Sequence, residues 1–154
     1  MSDKQADTQE AQRLIGQLLF GKHITYCLSG VARLGVADHM NATPKAIEEI
    51  AGKTGAHAPS LYRVMRLLAS IGVFKEEQGK RFTLTPAGEL LKSDTPGTVR
   101  CFAMMFGDEW TTRAYEHFTN CLRTGQNGGP RCFSLGNDWR HRLEQHLVPW
   151  TRLR

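Results

Sequence analysis

Thiols and imidazoles are the side chains in this chain best suited to ligate a metal, attack an electrophile or move a proton near neutral pH. The four cysteines, Cys27, Cys101, Cys121 and Cys132, lie far apart, and no Cys-x-x-Cys pair offers a zinc knuckle or redox couple. They read as small buried hydrophobes, kept reduced in a cytoplasmic chain. The six histidines are His23, His39, His57, His117, His141 and His146. His141 and His146 are the one close pair, and a five-residue spacing puts them well off a common helical face. The expectation is that no metal is bound.

A chain of 154 residues with 40% apolar and 23% charged side chains is one ordinary globular domain, large enough to bury a real core. No apolar run approaches the roughly 20 residues that cross a bilayer. The segment Met1 to Glu10 is polar, carries three acidic residues and lacks the basic and apolar regions of a secretory signal, so residues 1–10 read as disordered. The net charge of +5 invites a nucleic-acid partner, but it is unevenly placed: Met1 to Gly128 holds 15 Lys and Arg against 13 Asp and Glu, whereas Gly129 to Arg154 holds five against two. The main body is nearly neutral and requires no polyanion.

The elements follow from periodicity and punctuation. Between Ala11 and Leu34 there is no proline, and the apolar positions form two stripes. Leu14, Ile15, Leu18 and Leu19 make one; Phe20, Ile24, Cys27, Leu28, Val31 and Leu34 make a second, on roughly the opposite side. A helix that buries different faces at its two ends needs a second partner, such as another subunit. The alternative is a central helix held wholly inside one domain. Gly35 supplies a stop, and Val36 to Met40 reads as a short continuation. Three Thr-Pro pairs, Thr43-Pro44, Thr85-Pro86 and Thr95-Pro96, each predict a helix start, the threonine capping and the proline taking the first helical position. The expected helices are Pro44 to Lys53, Leu61 to Ser70, Pro86 to Lys92, Pro96 to Phe106 and Asp108 to Arg123. Val73-Phe74 and Arg81 to Leu84 read as two short strands around a turn containing Gly79. Helix, turn, helix and hairpin make the winged-helix pattern, so the fold class is mainly α with a small two-stranded β-hairpin wing.

The run Val31-Ala32-Arg33-Leu34-Gly35-Val36-Ala37-Asp38, then His57-Ala58-Pro59-Ser60-Leu61-Tyr62-Arg63-Val64-Met65-Arg66-Leu67-Leu68-Ala69-Ser70-Ile71-Gly72-Val73-Phe74, is similar to bacterial and plant-type O-methyltransferases of secondary metabolism. Arg81 to Pro86, Leu90 to Asp94 and Leu122 to Gly125 also fit, so the resemblance covers roughly Ala11 to Gly128. It implies an N-terminal winged-helix dimerisation domain, residues 11–128, that intertwines two subunits, and it makes Leu14, Ile15, Leu18 and Leu19 dimer-interface candidates. It also implies a separate S-adenosylmethionine-binding domain. After Gly128 no Gly-x-Gly-x-x-Gly turn follows a strand and no room remains for a parallel sheet, so the expectation is that this chain alone binds no cofactor and is not an enzyme. His117 has no donor site to work with as a base. Residues 129–154 read as an atypical basic tail, an out-of-frame extension or the remnant of a damaged gene.

In the resembling enzymes the region Cys101 to Trp110 helps close the acceptor pocket, which makes Met104, Phe106 and Trp110 substrate-pocket candidates, with Tyr115 and Phe118 behind them. Plain helix core is the competing reading. A DNA-binding regulator is the main rival function, since many repressors share the winged helix. Its recognition helix would need polar side chains along one exposed face, and here that strip is Arg63, Arg66 and Ser70, while Glu76 and Glu77 offset the basic residues of the wing. The expected partner is therefore a second copy, giving a homodimer, or a full-length methyltransferase subunit, giving a mixed dimer, and not a nucleic acid or a membrane.

Overall fold

The computed structural model describes residues 3–113 and 115–125. The first helix, α1, runs Asp3–Arg33 and so starts well before Ala11. The segment up to Glu10 that reads as disordered is helical from Asp3 onward. The helix stops where expected: Gly35 takes the left-handed conformation with φ 64°, and a single 3-10 turn, Val36–His39, follows.

Of the three Thr-Pro pairs, Thr85-Pro86 opens a helix, α4, Pro86–Glu89, in which the Thr85 hydroxyl accepts a hydrogen bond from the Gly88 N–H. Thr43-Pro44 does not. Lys45–Ala46 instead forms a short strand, β1, and helix α2 starts at Ile47 and runs to Thr54. Strand pairing outweighs the local cap there: Lys45 pairs with Phe82, and the Ile47 N–H donates to the Lys80 carbonyl at 3.1 Å. Thr95-Pro96 leads into a turn, with Gly97 at φ 76° and the Thr98 N–H donating to the Thr95 carbonyl, so the next helix, α5, is Arg100–Phe106.

Helix α3 is Ala58–Ser70. The expected wing is present as β2, Phe74–Glu77, antiparallel to β3, Arg81–Leu84, with Phe74 opposite Leu84 and Glu77 opposite Arg81. Because β1 also pairs with β3, the sheet has three strands in the order β1-β3-β2 rather than two. The single helix expected over Asp108 to Arg123 is broken into α6, Glu109–Arg113, and α7, Phe118–Thr124. Hydrogen bonds spanning three residues, from Tyr115 to Thr112 and from Phe118 to Tyr115, tighten the chain between them.

The core lies where α2, α3 and the sheet meet the end of α1. Ile47 and Ile50 of α2, Met65 and Leu68 of α3, Phe74 of β2 and Phe82 of β3 are all essentially inaccessible. Spacings of three and four residues put the helical members on one face. Val31 and Ala32 bring the last turn of α1 into the same cluster, and Leu91 closes it after α4.

Candidate functional site

Only the C-terminal half of α1 packs on this body. Ser29, Val31 and Ala32 are buried and Ile24, Cys27 and Leu28 half-buried, whereas Leu14, Ile15, Leu18 and Leu19 are 55%, 56%, 67% and 72% exposed. Phe20 and Leu34, placed by periodicity on the core-facing stripe, are also exposed. Soluble chains seldom leave a row of large aliphatic side chains in water unless something covers it. Burying four such side chains stabilises an assembly by about 1.5–3 kcal/mol each, before the cost of association.

The opposite end of α1 is locked to the C-terminal end of α5. Ser29, 3% exposed, donates its hydroxyl to the Met104 carbonyl at 3.3 Å, and Arg33 donates to the same oxygen at 2.9 Å. The Arg33 guanidinium also pairs with Asp108 at 3.3 Å. The helices approach so closely that a Cβ on Gly107 would overlap the Ser29 side chain; glycine is required there by space and not by its dihedral angles. A second cross-link stands behind this one. Arg100 donates to the Ala32 carbonyl at 3.0 Å and pairs with Asp38 at 2.6 Å, and Asp38 also accepts from Ser93.

Two cavities flank α1. The larger, about 570 Å³, has one wall from Lys22, Thr25 and Tyr26 and the other from Met105, Phe106, Thr111, Thr112 and Tyr115. The Tyr26 and Thr112 hydroxyls bridge the two walls at 2.7 Å. This volume suits a small organic ligand, and the mixture of aromatic faces with a few hydroxyls is the usual lining of such sites. Of the sequence candidates, Phe106 lies in this wall. Met104 does not: its neighbour Met105 does, and the Met104 carbonyl is taken by Ser29 and Arg33. The side chain of Trp110 lies outside the described residues. Tyr115 lines the cavity, with Phe118 edge-on to it at 6.0 Å. Tyr26, Thr111 and Thr112 are contributors that no motif announces. The smaller cavity, about 360 Å³, lies between α1 and the start of α3 and includes Cys27, Leu34, His57 and Val64. Burial pushes the Cys27 thiol pKa up, which makes it less reactive near neutral pH.

The outer face of α3 offers little to a nucleic acid. Arg66 pairs with Glu76 at 3.6 Å and lies over the Tyr62 ring, whose hydroxyl donates to Glu76 at 2.9 Å. That hydrogen bond holds the Tyr62 phenol pKa above its ordinary value. On the wing Lys75 pairs with Glu77, so Arg66 and Lys75 spend their charge on neighbouring carboxylates instead of phosphates. Among the described residues no helix is long and apolar enough to cross a membrane, and no group of three His, Cys, Asp or Glu is placed to hold a metal. His141, His146 and the basic tail lie outside the described residues.

Comparison with known proteins meets the same geometry. The family of O-methyltransferase dimerisation domains matches residues 16–94. The phenazine O-methyltransferase PhzM of Lysobacter antibioticus is 44% identical over 110 residues, 71% of this chain and 32% of that protein. The O-demethylpuromycin-O-methyltransferase of Streptomyces alboniger is 31% identical over 116 residues, 75% of this chain and 31% of its own length. Among solved structures, CalO1, a methyltransferase in calicheamicin biosynthesis seen in its SAH-bound form, superposes with a TM-score of 0.76 at 28% identity, covering 98% of this chain and 44% of that one. The chain thus spans about a third of the length of the curated relatives it matches. With its winged helix, its exposed first helix and this matched region, the chain belongs to the O-methyltransferase dimerisation-domain family.

Proposed function

We propose that this chain joins two subunits of an S-adenosylmethionine-dependent methyltransferase acting on a small aromatic hydroxyl, through the stripe Leu14, Ile15, Leu18 and Leu19. The exposure of that stripe beside an otherwise well-packed body carries the reading. The segment 104–110, through Phe106 and Trp110, forms one side of the acceptor pocket in the assembled enzyme. The paired unit comprises residues 11–128, the pairing is a homodimer or a mixed dimer with a full-length subunit, and the assembly works in the cytoplasm. Replacing Leu18 with aspartate puts a charge into the contact, which is costly when the group is desolvated without a partner. Sedimentation at micromolar concentration should show a wild-type dimer and a Leu18→Asp monomer with unchanged far-ultraviolet dichroism. A wild-type monomer, or a dimer indifferent to the substitution, would count against the pairing.

Methyl transfer also requires a site that holds the sulfonium donor in line with the acceptor oxygen. Among the described residues no glycine-rich turn joins a strand to a helix in the way that cradles such a nucleotide-bearing donor. Isothermal titration of this chain with S-adenosylmethionine should therefore give no heat above dilution. A dissociation constant in the micromolar range would overturn that part of the assignment.

A further inference from the structure

The larger cavity beside α1 is walled by hydroxyl groups and flat apolar faces, and the whereabouts of its protons narrow what can bind there. A hydroxyl carries one proton. Thr25 gives its proton to the Gly21 carbonyl at 3.0 Å, one turn back along α1. On α6, Thr111 donates to the Asp108 carbonyl at 2.7 Å, and Thr112 donates to the same oxygen at 3.1 Å. With the Thr112 proton used, the 2.7 Å contact between Tyr26 and Thr112 takes its proton from the Tyr26 phenol. These four hydroxyls are left with only lone pairs to offer a ligand. The donors that remain among the lining side chains are the Lys22 ammonium and the Tyr115 phenol. Lys22 is also the one ionised side chain in that lining, and among the described residues no carboxylate pairs with it. The acids of the facing segment, Asp108 and Glu109, are held by Arg33 and Arg113. The Lys22 Nζ lies 5.9 Å from the centre of the Tyr26 ring, a contact that keeps it at the cavity wall without neutralising it.

We propose that the larger cavity takes a planar aromatic acid, with its ring against Phe106 and Tyr115 and its carboxylate at the Lys22 ammonium, so that Lys22 selects acceptors carrying an anionic group. This rests on the acceptor-pocket reading above and names the substrate class that reading leaves open. The aromatic faces of Phe106 and Tyr115 and the thioether of Met105 favour a flat ring. The anion is a carboxylate because the site supplies a single cation and one phenolic donor, whereas a phosphate dianion recruits several charge-assisted donors. The lone pairs of Thr25, Tyr26 and Thr112 are then available to a hydroxyl or amino group on the same ring. Lys22 is exposed on its outer side, so the preference is modest. An ion pair open to solvent favours the charged ligand by about fivefold at most, and salt weakens it.

Nuclear magnetic resonance titration of the isotope-labelled chain tests the assignment. The probes are 6-hydroxy-2-naphthoate and its primary amide, which match in size and ring system and differ by one charge. Both should shift the backbone amides of Thr111, Thr112 and Tyr115, and the acid should bind about fivefold more tightly than the amide. Lys22→Met keeps a long, helix-compatible side chain and removes the charge, so acid and amide should then bind equally. Lys22→Arg should restore the preference, and added sodium chloride should shrink it in the wild-type chain. Equal binding of the two probes by the wild-type chain, or a preference that survives Lys22→Met, overturns the role given to Lys22 and leaves the cavity as an acceptor site. Binding of neither probe at these amides overturns the acceptor-pocket reading together with it.

Discussion

Replacing Gly107 with alanine should destabilise the chain by about 1–3 kcal/mol, the range expected when a methyl group is forced into a filled contact. The added carbon overlaps the Ser29 side chain, which is short, buried and anchored on the longest helix and so cannot swing aside. The strain must appear as a displacement of α5 from α1, loosening the Ser29 and Arg33 hydrogen bonds to the Met104 carbonyl. The companion substitution Ser29→Gly removes both atoms in conflict, leaving the Ser29 Cα at 3.7 Å from the new methyl. Alone, Ser29→Gly should cost about 1 kcal/mol, as glycine does inside a helix. The pair should therefore be less destabilised than the sum of the singles, and urea unfolding at one fixed protein concentration measures the difference. Additive effects would show that the two helices are not in the contact described.

Phe82→Ala should have the larger effect, about 3–5 kcal/mol, as for deletion of a fully enclosed aromatic ring. Phe82 is inaccessible on the central strand of the sheet, and its ring stands edge-on to Tyr62 with centroids 6.1 Å apart. The position is unusually intolerant because three elements meet on it: β1 pairs with its backbone at Lys45, β2 at Glu76, and α3 supplies the Tyr62 ring. For a domain whose total stability is of the order of 5–15 kcal/mol, a loss of this size removes from about a fifth to all of it and shifts the unfolding midpoint to markedly lower denaturant. A loss below about 1 kcal/mol would mean that the core does not close around this ring.

These two positions also show what a linear reading can and cannot reach. Helix α3 and the wing were legible because their determinants are local: an apolar arc at spacings of three and four residues, then Gly72, Gly79 and alternating strand residues. The stripe on α1 was legible for the same reason, although which atoms cover it is a property of an assembly. The three Thr-Pro pairs mark the limit. All three look alike in sequence, yet only Thr85 caps a helix. Lys45 and Ala46 are drawn into a ladder by a strand nearly 40 residues later, which a local window does not contain, and Thr98 bonds backward to the Leu90 and Lys92 carbonyls, a turn that no helical or strand periodicity announces. The cavity behaves likewise. Phe106 could be singled out as an aromatic in a sulfur-rich segment, but Tyr26, Thr111 and Thr112 become neighbours only because Gly107 allows α1 and α5 to touch.

That touch has a consequence for the nascent chain. Ser29 and Met104 are 75 residues apart in sequence, and a ribosome adding about 5–20 residues per second takes about 4–15 s to deliver the second after the first. Helix formation is complete within about a microsecond, so α1 forms and melts many times before its packing partner exists. A lone helix of this kind is only marginally stable in water. During that interval the face of α1 that packs on α5 is uncovered, so the helix is complete well before the contact that protects it.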